Sequence, residues 1–324
     1  MAQFDLPLKE LRRYRPERHE PIDFDAFWQR TLAESRAAGA TSPPRFEPFD
    51  AALTTSEAYD VTFSGFGGDP IRAWLMVPGQ RDGQLACVVE FLGYGRGRGH
   101  PLEWLTWASL GVAHLVVDAR GQGAQWSWGD TPDPQAAGGP QHPGFLTRGI
   151  DDPDGYYYRR LITDSVLAVD AVAGHPLVDP ARIVVAGTSQ GGGLALAVAG
   201  LSPAVAALLC DVPFLSDIRR AIQVTDADPQ AELVGYLRTR RTAVESAFAT
   251  LDYVDGLNFA VRARMPALFS VGLMDVICPP STVFGAFNHY AGQKQISVWP
   301  YNGHDGGGVV HLLERVEFLR ALGV

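Results

Sequence analysis

The residues best suited to chemistry stand at Gly187-Thr-Ser189-Gln190-Gly191, where the apolar run Ile183–Ala186 enters a glycine-rich segment of helical character. A strand that turns into a helix through G-x-S-x-G presents its serine on a tight, strained turn. Glycines two residues before and after, Gly187 and Gly191, remove Cβ atoms that would clash there. The serine then stands at a helix N-terminus, whose free amides favour a developing oxyanion. A phosphate-binding reading of the same glycines lacks both the P-loop lysine and the dinucleotide spacing.

A serine nucleophile needs a base and an orienting acid, in this arrangement in the order Ser, acid, His. Of eight histidines, His304 is the one that follows a late strand run, Ile296–Trp299, and enters a glycine-rich turn. Asp275 closes the run before it, 86 residues after Ser189 and 29 before His304. Asp211, ending the run Ala206–Cys210, is the rival acid, whereas Asp252 and Asp255 read as caps or surface acids. Such a set performs acyl transfer, with the acid holding the histidine tautomer.

An oxyanion needs two donors. One is the amide of Gln190; the other is expected in the loop Glu90–Gly99, at the amide of Tyr94, where glycines let backbone approach a substrate. This loop opens with Leu92-Gly93 where most have His-Gly, a change that keeps the backbone donor. Arg96 and Arg98 read as solvated charges. Tyr94, Trp126, Trp128 and Pro213 are expected to narrow the acyl pocket under the Gly/Pro-rich stretch 129–153, although core packing is the commoner fate of a tryptophan.

These residues need a scaffold. Residues 22–38 have helical spacing, with Phe24, Phe27, Trp28 and Leu32 on one face and Asp23 as cap. Two alternating runs, Tyr59–Ser64 and Ile71–Val77, flank Gly65, Gly67 and Gly68 and read as a hairpin. Short continuous apolar runs follow at Cys87–Leu92, Ala113–Val117, Ile183–Ala186, Ala206–Cys210, Ala267–Val271 and Ile296–Trp299, with helical segments between them. Strands apolar on both faces alternating with helices predict an α/β fold, with an eight-stranded, mostly parallel sheet covered on both sides. The chain is expected to form one domain over 1–324. An N-terminal extension covers 1–57, and insertions at 129–153 and 214–257 lie near the active site or subunit contacts.

Composition narrows the function. The 324 residues carry 27 basic and 36 acidic groups, net −9, so no basic stripe exists to engage nucleic acid. Only Lys9 and Lys294 are lysines, an arginine excess that reads as genome bias. No run reaches the roughly 18 apolar residues of a membrane helix, and the charged opening lacks a secretory signal, which makes cytoplasmic the default expectation. Cys87, Cys210 and Cys278 sit in apolar runs and read as buried thiols, and the histidines lack metal-ligand spacing.

Together these motifs make the chain resemble the acetyl xylan esterase / cephalosporin C deacetylase family, carbohydrate esterase family seven. The resemblance rests on Arg120-Gly-Gln122, Gly187-Thr-Ser189-Gln190-Gly191 and His304. It also rests on FDLPLKELRRYRPERHEP, DFDAFW, TRGIDDPDGYYYRR, DGLNFA and SVGLMDVICPPSTVF. It implies an α/β-hydrolase fold and an intracellular hexamer with active sites facing an internal cavity. The implied activity is hydrolysis of short acyl esters, chiefly acetyl, from xylo-oligosaccharides and cephalosporin C, with no metal or organic cofactor. Ser189, Asp275 and His304 match the triad, Tyr94 and Gln190 the oxyanion hole, and Arg120 and Gln122 braces for the site. Asp305 departs from the family's His-Glu pair by one methylene, which touches fine positioning. Other readings of the same residues are a serine peptidase, a general short-chain carboxylesterase and a non-catalytic binding protein on the hydrolase fold.

Overall fold

A computed structural model of the chain describes residues 3–136 and 138–324, so residues 1, 2 and 137 of the expected extension and insertion lie outside the described residues. Among the described residues the strands are β1 (Arg45–Phe49), β2 (Ser56–Ser64), β3 (Pro70–Pro78), β4 (Leu85–Phe91), β5 (Ala113–Val117), β6 (Val178–Thr188), β7 (Ala207–Asp211), β8 (Ala267–Gly272) and β9 (Lys294–Trp299). The helices are α1 (Leu8–Leu11), α2 (Phe24–Gly39), α3 (Leu105–Ser109), α4 (Tyr157–Ala173), α5 (Gln190–Leu201), α6 (Ile218–Val224), α7 (Gln230–Thr239), α8 (Val244–Leu251), α9 (Gly256–Ala260), α10 (Pro280–His289) and α11 (Gly308–Ala321).

One sheet runs in the order β1-β2-β3-β5-β4-β6-β7-β8-β9. From β5 to β9 every pairing is parallel; β1, β2, β3 and β5 pair antiparallel. The expected eight strands become nine, because β1 was not legible. Its sequence RFEPF contains Pro48 and leaves four of five side chains exposed, a pattern tolerated at an edge that pairs on one side only.

The period-two geometry of β4 divides the core. Cys87, Val89 and Phe91 face the larger apolar cluster with α4 and α5, while Val88 faces the opposite side with Trp107 and Leu319 of α11. In α4 every residue but Asp170 and Ala173 is buried, as a helix packed on all sides requires. Phe24, Phe27, Trp28 and Leu32 of α2 are buried as their spacing predicts, and Trp28 Nε1 donates to the Tyr253 carbonyl at 3.0 Å. Asp23 does not cap this helix. Its carboxylate accepts from the Tyr253 hydroxyl instead.

In parallel sheets, the ends where strands exit toward helices collect functional groups. Here four such exits converge: the loop after β4, Ser189 after β6, Asp275 after β8 and His304 after β9.

Candidate active site

Ser189 has φ 62° and ψ −122°, a conformation rare for a residue with a Cβ and held by its surroundings. Its amide donates to the Asp211 carbonyl at 2.9 Å, and its carbonyl accepts from Gly193 at 3.0 Å and Phe214 at 2.9 Å. The flanking glycines are required by close approach. A Cβ on Gly187 would strike the Gly191 backbone, and one on Gly191 would strike the Phe91 carbonyl. Three successive glycines open α5 despite a helix cost of about 1 kcal/mol each, because this turn presses against neighbouring strands.

His304 Nδ1 lies 2.9 Å from Asp275 Oδ2. The other oxygen of Asp275 accepts amides of Ile277 at 2.8 Å and Cys278 at 3.0 Å, so the fully buried carboxylate is held as an acceptor on both sides. Nδ1 therefore carries the proton, and Nε2 has no partner among the described residues. The imidazole is 27% exposed and borders the same cavity as Ser189. The Ser189 hydroxyl meets the thiol of Cys278 rather than His304; burial, then the charge of Asp275, push that thiol far above its usual range and keep it un-ionised. Contacts between nucleophile and base are often loose before substrate arrives. The rival acid, Asp211, turns the other way, to His311.

Gln190 is the first residue of α5, so its amide lies outside the helical ladder, and the Tyr94 amide has no acceptor among the described residues. The side chain of Gln190 donates to the Leu92 carbonyl at 3.1 Å and accepts from Tyr158 at 2.9 Å and Gln122 at 2.9 Å. Gln122 in turn accepts the Gly95 amide at 2.6 Å, which ties the loop after β4 to the elbow. Arg120, fully buried, grips Asp164 at 2.5 and 2.7 Å and Asp69 at 3.0 Å, while its carbonyl accepts from Tyr157 at 2.7 Å. Burial works against the guanidinium charge; the carboxylates overcome it. The Arg-Gly-Gln and Tyr-Tyr-Tyr runs are thus two halves of one scaffold beneath the site.

A cavity of about 670 Å³ opens over Ser189 and His304, lined also by Tyr94, Arg96, Trp126, His142, Pro229, Glu232 and Ile277. Trp126 borders it while remaining 72% exposed. Trp128 and Pro213 do not border it. Trp128 is exposed near His100, with its backbone against Gly97, and Pro213 lines a small neighbouring void. Arg98 is not a solvated charge: it is buried, bonds Asp60 and Asp130 at 2.8 Å each, and stacks 3.9 Å over Trp74. Arg96 is partly exposed and pairs with Glu103 at 3.2 Å. Asp305 bonds Asn302 at 2.7 Å and the Gly303 amide at 3.1 Å, bracing its own loop rather than His304.

Two neighbours of the site carry no sequence motif. The Tyr94 hydroxyl donates to the Glu232 carboxylate, 2.7 and 2.8 Å from its oxygens, and accepts the Phe145 amide at 2.7 Å. Burial, then Glu232, push this phenol well above its usual range, so it stays a donor; burial likewise raises Glu232. Cys278 was legible only as a buried thiol, and its place against Ser189 follows from the turn after β8.

Comparison with known proteins places the chain and its fold. The family model for acetyl xylan esterase (AXE1) matches residues 1–322. Acetyl esterase Axe7A of Xylanibacter ruminicola is 28% identical over 294 residues, which is 90% of this chain and 65% of that protein. The chain therefore spans just under two thirds of that relative's length. The acetyl xylan esterase from Paenibacillus sp. R4 superposes with TM-score 0.88 at 37% identity, covering 98% of this chain and 99% of the other. Acetyl xylan esterase 1 from Thermoanaerobacterium sp. JW/SL YS485 superposes with TM-score 0.87 at 34% identity and the same coverage. The fold alone extends further, to the α/β hydrolase GrgF from Penicillium sp. sh18 at TM-score 0.57 and 20% identity, over 82% of this chain and 98% of that one. With an α/β-hydrolase sheet throughout and a whole-length family match, the chain belongs to the acetyl xylan esterase family.

Proposed function

We propose that the chain is a serine esterase that removes acetyl and other short acyl groups from acetylated xylo-oligosaccharides and cephalosporin C-like esters. In this reading it works as a cytoplasmic homo-hexamer and needs no cofactor. The observation that carries the reaction is the 2.9 Å His304–Asp275 pair, with a free Nε2, on the same cavity as the Ser189 elbow.

Ser189 Oγ attacks the acetyl carbonyl carbon while its proton passes to His304 Nε2; Asp275 stabilises the imidazolium without taking the proton. The amides of Tyr94 and Gln190 hold the alkoxide. The bond from carbonyl carbon to sugar oxygen then breaks as His304 returns the proton to the departing hydroxyl. Water, deprotonated by His304, attacks the acyl-serine, and acetate leaves with Ser189 restored. Arg120 and Gln122 touch no reacting atom and keep the two amides in place.

Acetate release from acetylated xylo-oligosaccharides, measured beside cephalosporin C, tests the substrate class. Both esters should be cleaved by the native chain and neither by Ser189→Ala. Full turnover by Ser189→Ala would end the proposal. Rates that rise from p-nitrophenyl acetate to octanoate would contradict the short-acyl preference, and sedimentation as anything but six chains would contradict the hexamer.

A further inference from the structure

A second buried histidine–aspartate pair lies behind the site. His311 Nε2 stands 2.8 Å from Asp211 Oδ1, and Arg315 Nη1 stands 3.3 Å from Asp211 Oδ2. His311 Nδ1 lies 3.3 Å from Glu314, and its ring packs edge-on 6.2 Å from Trp299. Both members of the pair are sealed from solvent, and the acyl-transfer steps above do not use them.

The placement is informative. Asp211 ends β7, and its carbonyl is the acceptor that holds the Ser189 amide. His311 lies in the first turn of α11, seven residues after His304. The connection between them, Gly306-Gly307-Gly308, has φ values of 54°, 99° and 53° and owes its shape to its surroundings rather than to its own side chains. Three residues of α11 are buried, His311, Arg315 and Leu319, one turn apart along one face, while Val309, Val310 and Leu313 are exposed. The end of α11 nearest the site is therefore fastened to the sheet by this polar pair, beside the partly buried Leu312, which packs on the apolar cluster of Val88, Trp107 and Leu319.

We infer that His311 is a positioning residue: through Asp211 it fixes the loop bearing His304 against the elbow bearing Ser189. One residue, Asp211, thereby holds the nucleophile through its backbone and the base's loop through its side chain. The inference rests on the proposal that Ser189 and His304 react together, and a misplacement of about 1 Å in such a pair costs up to about 100-fold in rate.

The test compares His311→Ala, His311→Gln and Leu319→Ala in the full chain, reading kcat and KM on p-nitrophenyl acetate and the rate of fluorophosphonate labelling of Ser189. A glutamine amide nitrogen reaches the place of Nε2 and restores the bond to Asp211. His311→Ala should lower kcat by about 10- to 100-fold with KM changed by less than about threefold, and slow labelling alike. His311→Gln should recover most of the loss. Leu319→Ala, at the far end of the same helix, should lower the melting temperature yet keep kcat. If alanine at 311 prevents folding, His311→Asn, polar but too short to reach Asp211, carries the same expectation against His311→Gln. Native kcat in His311→Ala, no recovery in His311→Gln, or an equal loss of kcat in Leu319→Ala each overturns the inference. A native chain that neither cleaves acetyl esters nor takes the label overturns the esterase reading itself, a distinct result.

Discussion

His304–Asp275 and His311–Asp211 join the same side chains at 2.9 and 2.8 Å, yet their surroundings are opposite. The first histidine offers a free Nε2 to a cavity of about 670 Å³, beside a strained serine. The second has both ring nitrogens engaged by carboxylates, and its aspartate is shared with a buried arginine. A histidine–aspartate pair is thus not in itself a base. What separates the two is an unpartnered nitrogen, access from solvent and a hydroxyl within the same cavity.

That contrast can be broken at either pair. Asp275→Asn removes the acceptor that fixes the His304 tautomer and should lower kcat about 10⁴-fold with the fold intact, as read by burst kinetics on p-nitrophenyl acetate. Arg120→Ala tests the scaffold beneath the elbow and the loop after β4. It leaves Asp164 buried without its cation and should cost about 3–5 kcal/mol in denaturant unfolding, because breaking a buried pair strands a charge. Asp211→Asn leaves one amide oxygen for two donors, His311 and Arg315, but keeps the backbone carbonyl that holds Ser189, so kcat should fall by less than about 100-fold, far less than in Asp275→Asn. Glu232→Gln should be the mildest: a neutral acceptor still meets the Tyr94 hydroxyl, and kcat/KM should stay within about threefold, while Glu232→Ala falls further. Equal losses in Asp275→Asn and Asp211→Asn would erase the distinction between the pairs.

Much of this arrangement was legible because it is local. G-x-S-x-G needs one strand, one turn and one helix, and Asp275 and His304 were placed by the ends of strands whose apolar runs are unmistakable. The buried face of α2 followed from spacing alone. What escaped depends on partners distant in sequence. Arg98 reads as a loop charge until the fold brings Asp60 and Asp130 to it. Glu232 carries no motif within the expected insertion 214–257, and only the fold brings Tyr94, 138 residues away, to donate to it. Trp128 and Pro213 read as pocket walls because aromatic and rigid residues near a site suggest one; the chain instead turns them aside. In β1 the proline of an edge strand hides the alternation that marks the others.

The central claim is that Ser189 is activated by His304 and not by His311. Mass spectrometry of the peptide labelled by a fluorophosphonate, in the native chain and in His304→Ala and His311→Ala, tests it most directly. The account predicts one adduct, on Ser189, in the native chain, slower labelling of the same residue in His311→Ala, and none on that timescale in His304→Ala. An adduct on another residue, or undiminished labelling of Ser189 in His304→Ala, would contradict it.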